Sequence, residues 1–345
     1  MLPLRASVRQ TPGYTPGEQP QTTDFIKLNT NENPYPPPSS ILAALEPELE
    51  KLRLYPDPVS RQLREAAAET FGVEPEQILA GNGSDDILNI ALRTFVDPGQ
   101  TVGALDLTYS LYQTLTAVHG AELEIIPTNE RFELSGPIAS QAPLLFLASP
   151  NPPVGKHLNK DLLRATCAQH PGIVLIDEAY IDFGDEDHWD LLAEFENVII
   201  SRTLSKSYSL AGMRVGFAIG APALIREMDK VRDSYNLDRL AQALGTAALK
   251  ARADFVPLWQ KIRATRGRLS QSLTALGFEV LDSDSNFVLA SPSWMAAPEL
   301  YQQLKDRKIL VRYFHHPRIL NFVRITVGTD AEIDRLLDAI TELKG

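Results

Sequence analysis

Short apolar runs recur through the middle of the chain, separated by stretches of helical length. They lie at 101–107, 123–127, 144–148, 173–177, 198–201 and 215–219, with a shorter one at 78–80. Runs that are apolar throughout, rather than at alternate positions, mark strands covered on both faces. Helical spacing is read at 61–71 and 85–95. Strands alternating with helices predict an α/β fold, a mostly parallel sheet sandwiched by helices. Ligands of such sheets sit beyond the carboxyl ends of the strands. Ser84, Tyr109, Asn151, Asp177 and Lys206 each follow a strand candidate closely, so they converge by position alone.

The rest of the chain has a different texture. Residues 240–276 read as one or two long helices. Short strand candidates follow at 278–281, 287–290, 309–312 and 323–326, and a last helix spans 330–343 with Asp330 near its start. This predicts a smaller C-terminal α+β domain. At the other end, 11 of the 25 prolines fall in the first sixty residues. Thr11-Pro-Gly-Tyr-Thr-Pro-Gly and Asn33-Pro-Tyr-Pro-Pro-Pro fit neither a helix nor a sheet interior. An extended arm that wraps over a surface is expected, with a disordered tail as the alternative. The embedded Phe25-Ile-Lys-Leu-Asn is strand-like and favours the arm.

Charge and cysteine content narrow the function. The formal net charge of −11 over 345 residues argues against nucleic acid as the main partner, which needs a dense basic face. Local basic pockets for small anions remain open. The one cysteine, Cys167, lies in a helical stretch, fits a reducing compartment and is read as packing. The start, Met1-Leu-Pro-Leu-Arg-Ala, lacks the apolar core of a signal peptide, and no run approaches a membrane span. A cytoplasmic protein is expected. The six histidines, His315 and His316 included, show no metal-ligand spacing, so no metal is expected.

The chemistry centres on Ser201-Arg-Thr-Leu-Ser-Lys206-Ser-Tyr-Ser-Leu-Ala-Gly-Met-Arg214. A lysine among small, uncharged polar residues suits a tight pocket loop better than a solvated helix face. Such a lysine can bind an aldehyde cofactor covalently. Asp177 ends an apolar run, where it can cap a helix or face a pyridinium nitrogen. Tyr180 adds a phenol. Gly81-Asn-Gly-Ser84-Asp85 opens a helix and can cradle a phosphate, although the same run also marks an ordinary turn. Ser205 and Arg214 can add donors. Aspartate at 86 rules out a dinucleotide fingerprint, and a P-loop pattern is absent. Tyr109 can stack on a flat ring or sit in the core.

These blocks resemble the fold-type I aminotransferases, and among them the histidinol-phosphate aminotransferases. The resemblance runs from about Tyr14 to the last helix. It is carried by Leu28-Asn-Thr-Asn-Glu-Asn-Pro34, Tyr55-Pro-Asp57, Gly83-Ser-Asp85, Asp177-Glu-Ala-Tyr180, Arg202-Thr-Leu-Ser-Lys206, Ala211-Gly-Met-Arg214 and Val323-Arg-Ile-Thr-Val-Gly328. It implies pyridoxal 5'-phosphate as cofactor, attached to Lys206, with Asp177 on the pyridine nitrogen and Tyr180 on the 3-oxygen. It implies Tyr109 on the ring, and Gly83, Ser84, Asp85, Ser205 and Arg214 on the phosphate. Tyr55 is implied to reach that phosphate from a second subunit of a homodimer. Tyr14, Asn31, Arg312 and Arg324 are implied at the substrate. The division that goes with this is an arm over 1–30, a large cofactor-binding domain over 31–265 and a small domain over 266–345.

One departure stands out. The family pattern Ser-Pro-Asn-Asn-Pro-Thr-Gly reads Ser149-Pro-Asn-Pro152-Pro-Val-Gly155 here. Proline offers no side-chain donor, so either Asn151 replaces the usual contact to the cofactor's 3-oxygen or Tyr180 makes it alone. The resemblance implies transamination of histidinol phosphate with 2-oxoglutarate, in histidine biosynthesis. The rivals are an aminotransferase for other substrates, such as aromatic amino acids, a phosphothreonine decarboxylase, and a regulatory domain of the same fold.

Overall fold

The computed structural model describes residues 3–20, 22 and 24–345. Met1 and Leu2, used above in reading the N-terminus, lie outside the described residues. Strands are numbered in chain order: β1 (Ile26–Lys27), β2 (Ile78–Asn82), β3 (Thr101–Leu105), β4 (Glu122–Ile126), β5 (Leu144–Ala148), β6 (Ile173–Asp177), β7 (Val198–Thr203), β8 (Val215–Gly220), β9 (Phe278–Val280), β10 (Phe287–Pro292), β11 (Ile309–Leu310), β12 (Arg312–Tyr313) and β13 (Val323–Thr326).

The apolar runs form a seven-stranded sheet in the order β2-β8-β7-β6-β5-β3-β4. Its neighbours are parallel except at β8, which is antiparallel to both β2 and β7. Residues alternate between two apolar layers, as a strand requires. Leu144, Phe146 and Ala148 of β5 pack with the helix Ser84–Phe95, while Leu145 and Leu147 pack against the helix Lys160–Gln169 on the other face. Every residue of β5, β7 and β8 is buried. The strand order reverses between β3 and β5, so a crevice opens at their carboxyl ends.

The stretch expected as one or two helices is two, Arg239–Lys250 and Arg252–Ala275. The second crosses between cores. Phe255, Trp259 and Ile262 join the core of the large half; Leu269 and Leu273 join that of the small half. The small half is an antiparallel sheet, β12-β13-β10-β9, with the helices Ala297–Asp306 and Asp330–Lys344. Thr329 caps the last helix, in a reciprocal box with Glu332.

The N-terminal segment differs in part from the extended arm expected. Ala6–Gln10, free of proline, is a short helix, laid on the helix Leu111–His119 by Arg5 Nη2 to the His119 carbonyl at 3.1 Å. The strand-like Phe25-Ile-Lys-Leu-Asn contains β1, which is limited to Ile26–Lys27 and runs parallel to β11 with Ile26 opposite Ile309. The chain then turns into the crevice between the halves.

Candidate active site

A cavity of about 400 Å³ lies at the carboxyl ends of the central strands. Its floor is built from the turns after β3, β5, β6 and β7, and its roof from residues 29–31 and the small half. It brings together Lys206, Asp177, Tyr180, Tyr109, Ser84, Asp85, Ser205, Arg214, Asn31, Tyr14, Arg312 and Arg324.

Lys206 sits in the turn after β7. Its Nζ donates to the Thr30 carbonyl at 3.2 Å and lies 5.8 Å from the Tyr180 ring centroid. Asp177 is the last residue of β6. Its Oδ2 accepts from the Tyr112 hydroxyl at 2.9 Å, while Oδ1 is buried without a partner. Burial pushes the carboxyl up to about 6, against the opposing pull of the Tyr112 hydrogen bond. The neighbouring Glu178 lies on the opposite side of the strand. It accepts from Arg202 Nη1 at 3.1 Å and from His188 Nδ1 at 2.8 Å, which fixes the strand end so that Asp177 faces the cavity. Tyr180 accepts from Asn31 Nδ2 at 3.0 Å, and its ring meets Phe287 edge-on at 5.2 Å.

Gly83 (φ +82) precedes the helix Ser84–Phe95, whose first N–H groups have no intrahelical acceptor. A Cβ on Gly83 would lie 2.5 Å from Arg214 Nη2. Arg214 donates to Ser205 Oγ at 3.2 Å and to Asp85 Oδ2 at 3.1 Å. The Tyr109 hydroxyl donates to Asp85 Oδ1 at 3.3 Å. The Asp85 carboxylate is therefore committed to Arg214 and Tyr109, and what it offers an anion is its backbone N–H. Tyr109 also meets Tyr14 edge-on at 6.1 Å, and burial and Asp85 hold its hydroxyl above the ordinary tyrosine range.

On the far wall Arg324 Nη2 donates to the Asn29 carbonyl at 3.0 Å, and its Nε is buried without a partner. Among the described residues no carboxylate lies within ion-pair distance of it. The Phe287 and Phe314 rings lie 5.1 and 5.2 Å from its Cζ. Arg312 donates to the Pro16 and Thr15 carbonyls, both at 3.1 Å, and so holds Tyr14 over the opening.

Three expected residues do not line this cavity: Gly83, which lies just behind Ser84, and Asn151 and Tyr55. Asn151 is not in the cavity wall. Its Nδ2 donates to the Leu107 carbonyl at 2.9 Å and its Oδ1 accepts from Thr108 Oγ1 at 2.7 Å. Both ends of the amide thus brace the turn after β3, with one N–H of Nδ2 used there. Tyr55 is 77% exposed, stacked on Tyr235 at 4.5 Å and outside the cavity of its own chain. Sequence reading gave no role to Tyr112; the signal for it was a tyrosine in a buried position, whose hydroxyl must find a partner. It also passed over the wall formed by Phe314, His315, His316 and Ile319. Among the described residues no group of histidine, cysteine and carboxylate side chains is placed to hold a metal.

The model of the family aminotransferase class I and II matches residues 23–340, and the chain belongs to that family. The histidinol-phosphate aminotransferase of Synechocystis sp. is 69% identical over 100% of this chain and 99% of its own length. That of Rippkaea orientalis is 67% identical over the same shares. Within the family, then, the chain is a member of the histidinol-phosphate aminotransferase group. The crystal structure of the Sinorhizobium meliloti histidinol-phosphate aminotransferase in complex with pyridoxal-5'-phosphate superposes with a TM-score of 0.86 at 29% identity, over 92% of this chain and 90% of that one. The Porphyromonas gingivalis L-threonine-O-3-phosphate decarboxylase, at TM-score 0.81 and 20% identity, shares the fold alone. The expected α/β fold of type I is the one found.

Proposed function

We propose that this chain transfers the amino group of histidinol phosphate to 2-oxoglutarate, giving imidazole-acetol phosphate and glutamate in histidine biosynthesis, with pyridoxal 5'-phosphate as cofactor. The observation that carries the reading is Arg324, a half-buried cation whose Nε is buried without a partner and which has no carboxylate partner among the described residues, facing the same cavity as Lys206 and Asp177.

The residues present fit the cofactor. Asp177 Oδ1 is an orphaned buried acceptor in the cavity, suited to a pyridinium N–H. The Gly83–Ser84 turn, the helix start, Ser205 and Arg214 make a cradle of donors for its phosphate. Lys206 Nζ is the amine that attaches its aldehyde. When bound, the cofactor supplies a ring that accepts electrons from the substrate's α-carbon. Asp177 keeps a proton on the ring nitrogen by pairing with it. Lys206 Nζ, once free of the aldehyde, would be the base that takes the proton from the substrate's α-carbon and would hold it for return to the cofactor's aldehyde carbon. Tyr180, oriented by Asn31, donates to the 3-oxygen. Tyr109, in the cavity wall, would stack on the ring, and Tyr14 beside it would close the opening against water. Arg324 and Arg312 meet the anionic end of either substrate, since a guanidinium pairs equally with phosphate and carboxylate.

The division into an arm (1–30), a large domain (31–265) and a small domain (266–345) belongs to this reading. So does a homodimer in which Tyr55 completes the partner's phosphate site. Exposed Leu49, Leu52, Leu54, Tyr55 and Tyr235 support it. A cytoplasmic location is part of the proposal; among the described residues no helix is long and apolar enough to cross a membrane.

The test is Arg324→Ala. Loss of a charge-assisted contact should lower kcat/KM for histidinol phosphate and for glutamate by roughly a hundredfold. A fall in melting temperature with both half-reactions spared would make Arg324 a structural residue only.

A further inference from the structure

Between β12 and β13 the small half sends out the loop 314–322. Phe314, His315, His316 and Ile319 line the cavity, and Arg318 among them does not. It crosses to the large half instead. Its Nη1 donates to Asp106 Oδ2 and to Thr128 Oγ1, both at 2.6 Å, and its Nη2 donates to the Asn129 carbonyl. Its Cζ lies 4.5 Å from the centre of the Phe132 ring. Asp106 is itself fixed, since Oδ1 accepts from the Leu107 N–H at 2.9 Å and from Thr128 Oγ1 at 2.8 Å. Leu107 begins the turn that carries Tyr109.

Among the described residues nothing else polar holds this loop across the cleft. Among the described residues, every hydrogen bond from 314–322 to the large half is made by Arg318. The others stay within the loop or join it to Ser291, Pro292 and Ala297 of the small half. Beside the tie, Ile319 packs with Leu107, Val154 and Leu289.

We propose that Arg318 and Asp106 tie the two halves together and set the width of the substrate cleft. The tie holds the loop bearing Phe314, His316 and Ile319 against the turn bearing Tyr109. The distance from the ring face to the anion anchor Arg324 is thereby fixed. Arg318 is a positioning residue for the transamination proposed above, and the inference rests on that reading. Although it lies between Arg312 and Arg324 in sequence, it is not an anion anchor, because, unlike them, it does not line the cavity.

The test uses cofactor-loaded protein in single-turnover half-reactions, followed by the cofactor's absorption. Arg318→Ala and Asp106→Asn should each raise the half-saturating concentration of histidinol phosphate and of glutamate roughly tenfold. The saturating rate should stay within about threefold, and the pH profile of the absorption should not move, because Lys206 and Asp177 are untouched. Arg318→Lys keeps the charge without the planar fork and should fall between. The double variant should be no worse than Arg318→Ala, since the pair acts as one unit. Should Arg318→Ala not fold, Asp106→Asn and Arg318→Lys carry the test. Half-saturation within about twofold of the parent in the variants that fold would overturn the tie, and so would a shifted absorption profile. A parent protein that reacts with glutamate but not with histidinol phosphate would sink the substrate reading, while the tie would still be read on glutamate.

Discussion

At the scale of single residues, the site depends on one carboxylate placed where it is uncomfortable. Asp177 is buried, half-satisfied and shifted up to about 6 from an ordinary 3.8. The folded, cofactor-free protein therefore binds more protons than the unfolded chain between about pH 4 and 6. Its stability falls as pH rises through that window and stays lowered above it. Asp177→Asn removes the charge while keeping an acceptor for Tyr112. It should stabilise the cofactor-free protein at pH 7.5 by roughly 2–3 kcal/mol, with the difference closing as pH approaches 4. Thermal melts of both forms across pH check this; equal stability at pH 7.5 would show that the carboxylate carries no such cost. Activity should move the other way, because the ring nitrogen loses its anionic partner. Lys206 and Asp177 were legible from sequence because strand ends and a small-residue loop marked them. Tyr112 and Arg318 were not, because their partners Asp177 and Asp106 lie 65 and 212 residues away along the chain. The bracing of the Leu107–Thr108 turn by the Asn151 amide was hidden for the same reason, the partners being 43 or 44 residues distant.

At the scale of elements, the cradle proposed for the cofactor's phosphate is made by the approach of β8 to the turn before the helix Ser84–Phe95. Gly216 of β8 has no side chain because none fits. A Cβ there would lie 2.5 Å from the Gly83 carbonyl carbon and from the Ser84 nitrogen. Both are backbone atoms, so Gly216→Ala must push the turn away from Arg214 and Ser205. Cofactor affinity should drop about tenfold or more, the size of one lost charge-assisted contact. Gly212→Ala, where a Cβ meets nothing within 4 Å, is the control and should leave affinity unchanged. Equal titration curves for the two variants would contradict the cradle. The elements themselves were legible where periodicity was strong: the helix Arg61–Phe71 and the buried strands stand where the apolar runs put them. Composition misled at the N-terminus, where prolines on either side concealed the helix Ala6–Gln10. The antiparallel sense of β8 has no local signal at all, since pairing direction is set by where the chain returns.

At the scale of the whole molecule, the cavity of one chain leaves Tyr55 on the outside. Its exposure and its apolar neighbours fit a surface buried against a second copy. Mixing inactive Lys206→Ala chains with chains inactivated at Tyr55 should restore part of the activity, because a hybrid dimer contains one intact site. A protein that stays monomeric at working concentration, or mixed variants that never recover turnover, would refute shared sites. With a net charge of −11, attraction for an anionic substrate has to come from local basic groups. Arg324 is the one proposed as the anchor of an anionic substrate; it lines the cavity, and among the described residues no carboxylate is paired with it. The most direct measurement compares histidinol phosphate with histidinol in the half-reaction of the cofactor-loaded protein. The account predicts that removing the phosphate lowers the apparent second-order rate constant by roughly a hundredfold or more, the order expected for losing a charge-assisted anchor. Equal reactivity of the two amines would contradict it and point to an aminotransferase for unphosphorylated, aromatic substrates.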